Sequence, residues 1–151
     1  MIKTVDIYTD GACSGNPGVG GYCAILIYGS AEKIVSGAQK DTTNNRMELL
    51  AVIEGLKCLK EKCNVNLYSD SQYVVDAFNQ NWINSWVTNG WKTSGKKEVK
   101  NVDLWQELID LTSKHKVSFI KVKGHSDNEY NNRCDKIAVN EYKKLFNEEK
   151  I

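Results

Sequence analysis

The sequence predicts an α/β fold on one mixed sheet of five strands, and three observations carry that prediction. Residues 5–39 hold three strand-like stretches with short links, which reads as an antiparallel meander. A long stretch with helical spacing follows from residue 44. The remainder alternates strand-like and helical stretches, so the order is β-β-β-α-β-α-α-α-β-α, with helices left to cover the sheet's faces.

Val5, Ile7 and Thr9 alternate with Asp6, Tyr8 and Asp10, the two-residue period of a strand that ends at a glycine with Asp10 beside it. The run GACSGNPGVGG is a turn-rich connection. Its glycines Gly15, Gly18, Gly20 and Gly21 are expected to form a hairpin that needs unusual backbone angles. Two further strands, over 22–28 and 33–39, flank a glycine-containing turn. Thr43 or Asn44 suits the N-cap of a helix reaching about Lys62, with apolar positions at Met47, Leu50, Ile53, Leu56 and Leu59. Val65, Leu67 and Ser69 then alternate with Asn66, Tyr68 and Asp70, so a second carboxylate ends a second strand. Helical or loop segments run to about Gly95. Residues 101–114 have helical spacing, residues 117–122 read as a buried strand, and residues 129–146 as a closing amphipathic helix.

Nothing in the composition divides the chain. Its 151 residues contain no linker, low-complexity tract or internal repeat, so 1–151 is read as a single domain. Twenty Lys and Arg against nineteen Asp and Glu leave a net charge of +1, too small to reveal a nucleic-acid partner by overall charge. No apolar stretch approaches the roughly 18 residues that span a bilayer, and MIKTVDIYTD lacks a signal peptide's apolar region. A cytoplasmic protein without a membrane partner is expected. Five cysteines, Cys13, Cys23, Cys58, Cys63 and Cys134, are odd in number and lack zinc-site spacing, so they read as reduced thiols.

The acids carry the chemistry. Paired strands lie about 4.8 Å apart, so Asp10 and Asp70, on strands expected to be parallel neighbours, can stand side by side and would repel if nothing screened them. Glu48 interrupts the apolar run Met47 to Ile53 on the helical line of Val52, Leu56 and Leu59, where a carboxylate needs compensation. A cation would supply it. Oxygen ligands suit Mg²⁺ or Mn²⁺, and the lack of a His/Cys cluster argues against zinc or copper.

The segments TDGACSGNPGVGGY, TTNNRMELLA, SDSQYV and VKGHSDNEYNNRCDKIA, in this order, resemble those of the bacterial type 1 ribonucleases H. The likeness runs from Val5 to about Val139. It implies the ribonuclease H-like fold, with helices on both faces of the sheet. It also implies cleavage of the RNA strand of an RNA/DNA hybrid to leave 3′-hydroxyl and 5′-phosphate ends. Asp10, Glu48, Asp70 and Asp135 would form the acidic set holding two divalent ions, Mg²⁺ with Mn²⁺ as a substitute. Asp10 would bridge the two, Glu48 and Asp70 would hold one and Asp135 the other. His125 would lie on a loop beside them and assist proton transfer or product release. The physics agrees, because two ions about 3.5–4 Å apart suit in-line displacement at phosphorus. A non-catalytic hybrid-binding module of the same fold is the alternative, and the intact acids disfavour it.

The resemblance also implies a substrate surface on a monomer. Cys13, Ser14, Asn16, Asn44, Asn45 and Gln72 would face the minor groove, with Glu48 and Ser71 reaching ribose hydroxyls, which is how an RNA strand is told from DNA. Thr43 and Asn101 match a pocket for a DNA phosphate, but Asp41 stands where relatives often carry arginine. Trp82, Trp86 and Trp91, mixed with Lys92, Lys96, Lys97 and Lys100, match a basic handle that grips the DNA strand through stacking and charge. Here Val87, Thr88, Asn89 and Gly90 replace a basic cluster, so weaker hybrid binding is expected. GWKTSGKK imitates a P-loop but ends in Lys97 in place of Ser or Thr and follows no strand.

Overall fold

A computed structural model describes residues 2–93, 95–123 and 128–149. Five strands, β1 (Lys3–Cys13), β2 (Gly18–Tyr28), β3 (Ala31–Thr42), β4 (Cys63–Ser69) and β5 (Lys116–Lys121), form one sheet in the order β3-β2-β1-β4-β5. The first three are antiparallel neighbours, and β1, β4 and β5 run parallel. The helices are α1 (Asn44–Lys57), α2 (Gln72–Asn79), α3 (Trp82–Thr88), α4 (Val102–Ser113) and α5 (Glu129–Glu149). None of them, among the described residues, is long and apolar enough to cross a membrane.

Strand alternation decides which side chain faces which layer. Val5 and Ile7 of β1, Ala24 and Leu26 of β2, and Val65 and Leu67 of β4 point toward α1. There they join Leu49, Val52, Ile53, Leu56, Trp105 and Leu108 in the larger core. Tyr8 and Ala12 of β1 point the other way with Cys23 and Ile25, and α5 covers them with Cys134, Ile137 and Ala138. Helices therefore lie on both faces. Each fully buried aliphatic side chain of these layers, Ile7 and Leu67 among them, contributes about 1.5–3 kcal/mol of transfer free energy.

Three local expectations are corrected by the fold. Asp10 lies just past the end of the parallel ladder, whose last pair is Thr9 and Ser69, and not at the end of β1, which continues to Cys13 because Asp10, Gly11, Ala12 and Cys13 pair with β2. The hairpin glycines Gly15, Gly18, Gly20 and Gly21 have no positive φ, which among the described glycines belongs to Gly29 and Gly90. Two of them serve close approach instead. A methyl on Gly21 would run into the Ala138 carbonyl of α5, and one on Gly20 would sit 2.7 Å from both Met47 and Thr42. Finally, α1 ends at Lys57 and not near Lys62, because the Cys58 N–H turns to the Gly55 carbonyl at 3.2 Å and the chain must enter β4 at Cys63.

Candidate active site

Three elements converge on one end of the sheet. The parallel register brings Thr9 opposite Ser69, so the next residues, Asp10 and Asp70, emerge side by side. Thr43 caps α1 by accepting a hydrogen bond from the Arg46 N–H at 3.2 Å, which starts the helix where Glu48 falls against β1. Gly11 permits that approach, since a methyl there would collide with the backbone of Met47 and Glu48. Its N–H donates to Asp10 Oδ1 at 2.9 Å and to Glu48 Oε1, which ties the two acids to one backbone group.

Carboxylate oxygens of Asp10, Glu48 and Asp70 all lie within 4.8 Å of one another. Asp135, on α5, lines the same cleft of about 470 Å³ and stands close enough to act on Asp10. All four acids named from sequence therefore share one site. Asp10 and Glu48 are each only 4% exposed, so their charges are poorly solvated. Burial, with Asp70 and Asp135 adding repulsion, pushes Asp10 up to about 8. Burial likewise raises Glu48 well above the usual carboxylate range; Asp10 and Asp70 add to this, and the Gly11 N–H opposes it. Such a cluster favours a hard cation. Its all-oxygen donor set fits Mg²⁺ or Mn²⁺, with Asp10, Glu48, Asp70 and Asp135 as the residues that would hold it.

Comparison with known proteins now decides the family. Residues 2–143 match the RNase H family. The chain is 68% identical over 143 residues to the Ribonuclease H of Acetivibrio thermocellus, covering 95% of this chain and 97% of that one. It is 62% identical over 138 residues to the Ribonuclease H of Chlorobaculum parvum, covering 91% and 94% respectively. The chain belongs to the ribonuclease H family.

A solved type 1 enzyme with the type 2 active-site motif, LC9-RNase H1, superposes on this ribonuclease H with a TM-score of 0.85 at 28% identity. It covers 95% of this chain and 74% of its own. LC11-RNase H1, solved in complex with RNA/DNA hybrid, shares the fold with a TM-score of 0.67 at 20% identity, covering 94% and 99%.

Around the acids, this ribonuclease H gathers much of the surface read from its sequence. Cys13, Asn44, Asn45, Ser71 and Gln72 line the carboxylate cleft. Asn16 is joined to it by accepting the Asn44 N–H at 3.0 Å. Some of these side chains also have structural duties. The Ser14 hydroxyl closes the hairpin against Val19, and Ser71 caps α2 by accepting from the Val74 N–H at 3.3 Å. Asn101 accepts from Arg46 at 3.2 Å and donates to the Tyr73 hydroxyl at 3.1 Å.

The tryptophans mostly pack. Trp86 lies 5.2 Å from the fully buried Trp105 and 6.3 and 6.4 Å from Trp82 and Trp91, and Trp82, Trp86 and Trp91 are half-buried against the larger core. Lys92, Lys96, Lys97 and Lys100 stay exposed, and Trp82, Trp86 and Lys92 share a shallow cleft. His125 lies outside the described residues. Sequence reasoning missed Gly11, Tyr73 of the cleft wall, and the bidentate pair of Arg46 with Asp103 at 3.0 and 2.8 Å. Only the glycine directly after Asp10 offered a signal.

Proposed function

We propose that this ribonuclease H hydrolyses the RNA strand of an RNA/DNA hybrid at the carboxylate cleft, with two divalent ions, Mg²⁺ or Mn²⁺. The convergence of Asp10, Glu48 and Asp70, with Asp135 beside them, is the observation that carries the reading. When bound, the ions supply the charge that activates the attacking water and neutralises the departing oxygen. Asp10 would be shared by both ions, Glu48 and Asp70 would hold one and Asp135 the other. His125 assists proton transfer or product release. The products carry 3′-hydroxyl and 5′-phosphate ends.

Cys13, Ser14, Asn16, Asn44, Asn45 and Gln72 face the minor groove, and Ser71 with Glu48 selects the strand that bears 2′-hydroxyls. Thr43 and Asn101 hold a DNA phosphate. Trp82 and the exposed lysines Lys92, Lys96, Lys97 and Lys100 follow the DNA backbone, while Trp86 and Trp91 support them from behind. The enzyme works as a monomer in the cytoplasm, a reducing compartment that suits five unpaired cysteines. Labelled hybrid, duplex RNA and duplex DNA, each incubated with Mg²⁺ or with chelator, test the reading. Cleavage confined to the RNA of the hybrid, and lost with chelator, is expected; binding without cleavage would leave the non-catalytic alternative.

Asp41 supplies a separate prediction. Its φ of 49° is a left-handed conformation that aspartate tolerates, and its charge would repel a phosphate held by Thr43 and Asn101. Asp41→Arg should lower the Michaelis constant for hybrid severalfold, at a stability cost of about 1 kcal/mol for a longer side chain at positive φ. Steady-state assays showing an unchanged or higher constant would count against it.

A further inference from the structure

Asp10, Glu48 and Asp70 are tied together by neighbouring backbone, through the parallel register of β1 with β4 and the shared Gly11 N–H. Asp135 has no such tie. Its place depends on how α5 docks, and the docking contacts gather in the turns just before it. The Tyr130 ring stacks on Tyr8 at 4.9 Å and 26°, and Tyr8 stacks on Tyr68 at 4.4 Å and 9°. These rings join the start of α5 to β1 and β4, the two strands that deliver Asp10 and Asp70. Arg133 lies over the Tyr130 ring, with its guanidinium 5.7 Å from the ring centre, and is itself fixed by two hydrogen bonds to Glu32 at 2.9 and 2.8 Å. The Cys134 thiol donates to the Tyr8 carbonyl at 3.2 Å, one residue from the acid.

We propose that Tyr130, seated on the Tyr8–Tyr68 stack, is a positioning residue that sets Asp135 against Asp10 and so tunes the affinity of the site for its divalent ions. Tyr130 precedes Asp135 by five residues, about 7.5 Å along the helix, so a tilt of the first turns displaces the carboxylate directly. Beyond Asp135 the helix is held where Ala138 meets Gly21, and before it the Tyr130 stack resists this tilt together with the Arg133–Glu32 pair and the Cys134 thiol. The ring does this work and the hydroxyl does not, because Tyr130 makes no hydrogen bond through its hydroxyl to a described residue.

The inference rests on the metal reading above, and one experiment separates the two. Calorimetric titration of the metal-free proteins with MgCl₂ alone, well below their melting temperatures, gives the dissociation constant independently of turnover. Tyr130→Ala should raise it about tenfold, the usual size of losing a support behind a metal ligand. Tyr130→Phe should stay within about twofold of the parent, because it keeps the ring. A parent-like constant for Tyr130→Ala, or a constant for Tyr130→Phe as weak as that of Tyr130→Ala, would overturn the inference. If Tyr130→Ala does not fold, Tyr68→Ala removes the far ring without touching α5 and should raise the constant about threefold; no change there would overturn it equally. A parent protein that takes up no Mg²⁺ would instead sink the metal reading itself.

Discussion

Asp10→Asn is expected to abolish hybrid cleavage and, with metal withheld, to raise the melting temperature at pH 8. The loss follows from removing the acid proposed to bridge both ions: several kcal/mol of transition-state stabilisation at about 1.36 kcal/mol per decade is a rate decrease of roughly 10³-fold or more. The gain follows from burial among like charges. Asp10 is pushed up to about 8 in the fold, against about 3.9 in an unfolded chain, so between those values the unfolded state gives up a proton that the native state keeps. Metal-free stability therefore falls as pH rises from about 4 to about 8, and the penalty is complete above the upper value. Asparagine cannot ionise, which relieves that part of the penalty. A gain of about 1–2 kcal/mol, or roughly 2–6 °C, is expected at pH 8, and little at pH 4. Melting curves in chelator at the two pH values check this. A variant that still cleaves, or that melts below the parent at pH 8, would refute it. The same ionisation makes cation uptake release protons, so the half-saturating Mg²⁺ concentration should drop as pH rises from 6 to 8.

Gly11→Ala should damage fold and site together. The added methyl meets backbone of Met47 and Glu48, and neither neighbour can swing aside as a flexible side chain would. Overpacking of this kind costs about 3 kcal/mol, which lowers the melting temperature by roughly 6–12 °C. Relief by pushing α1 outward moves Glu48 off its hydrogen bond to the Gly11 N–H, and a displacement of about 1 Å costs on the order of 100-fold in turnover. Gly29→Ala is the control. Gly29 has φ +58 and open space around the would-be methyl, so that change carries only the conformational penalty of about 1–2 kcal/mol and should leave turnover intact. Equal loss of activity in both variants would show that close approach at Gly11 has no particular bearing on Glu48.

The parts of this site differed in how openly the chain declared them. Asp10 and Asp70 were legible because each follows a clean two-residue alternation, and parallel pairing makes two such ends neighbours. Glu48 was legible as a charge on an apolar helical line. Asp135 was not: at intermediate burial on a long amphipathic helix, it looks like any solvated acid until the motif NNRCD is matched to relatives. The glycines were misread for a related reason. A turn-rich run suggests positive φ, whereas the need for Gly20 and Gly21 depends on Met47 and Ala138, far along the chain. Tryptophans among lysines suggested a stacking surface, but indole rings also fill gaps between short helices, and only the ring-to-ring distances show how far Trp86 is committed to the interior.

The four acids are spread from the first strand to the last helix, with α5 laid over strands made long before it. During synthesis β1 leaves the ribosome early and Asp135 more than a hundred residues later. A half-made polypeptide therefore lacks one wall of the cleft and the cover over Cys23 and Ile25, and the four carboxylates stand together only once the segment bearing Asp135 has docked. Translation itself thus delays the finished cleft until its last wall arrives.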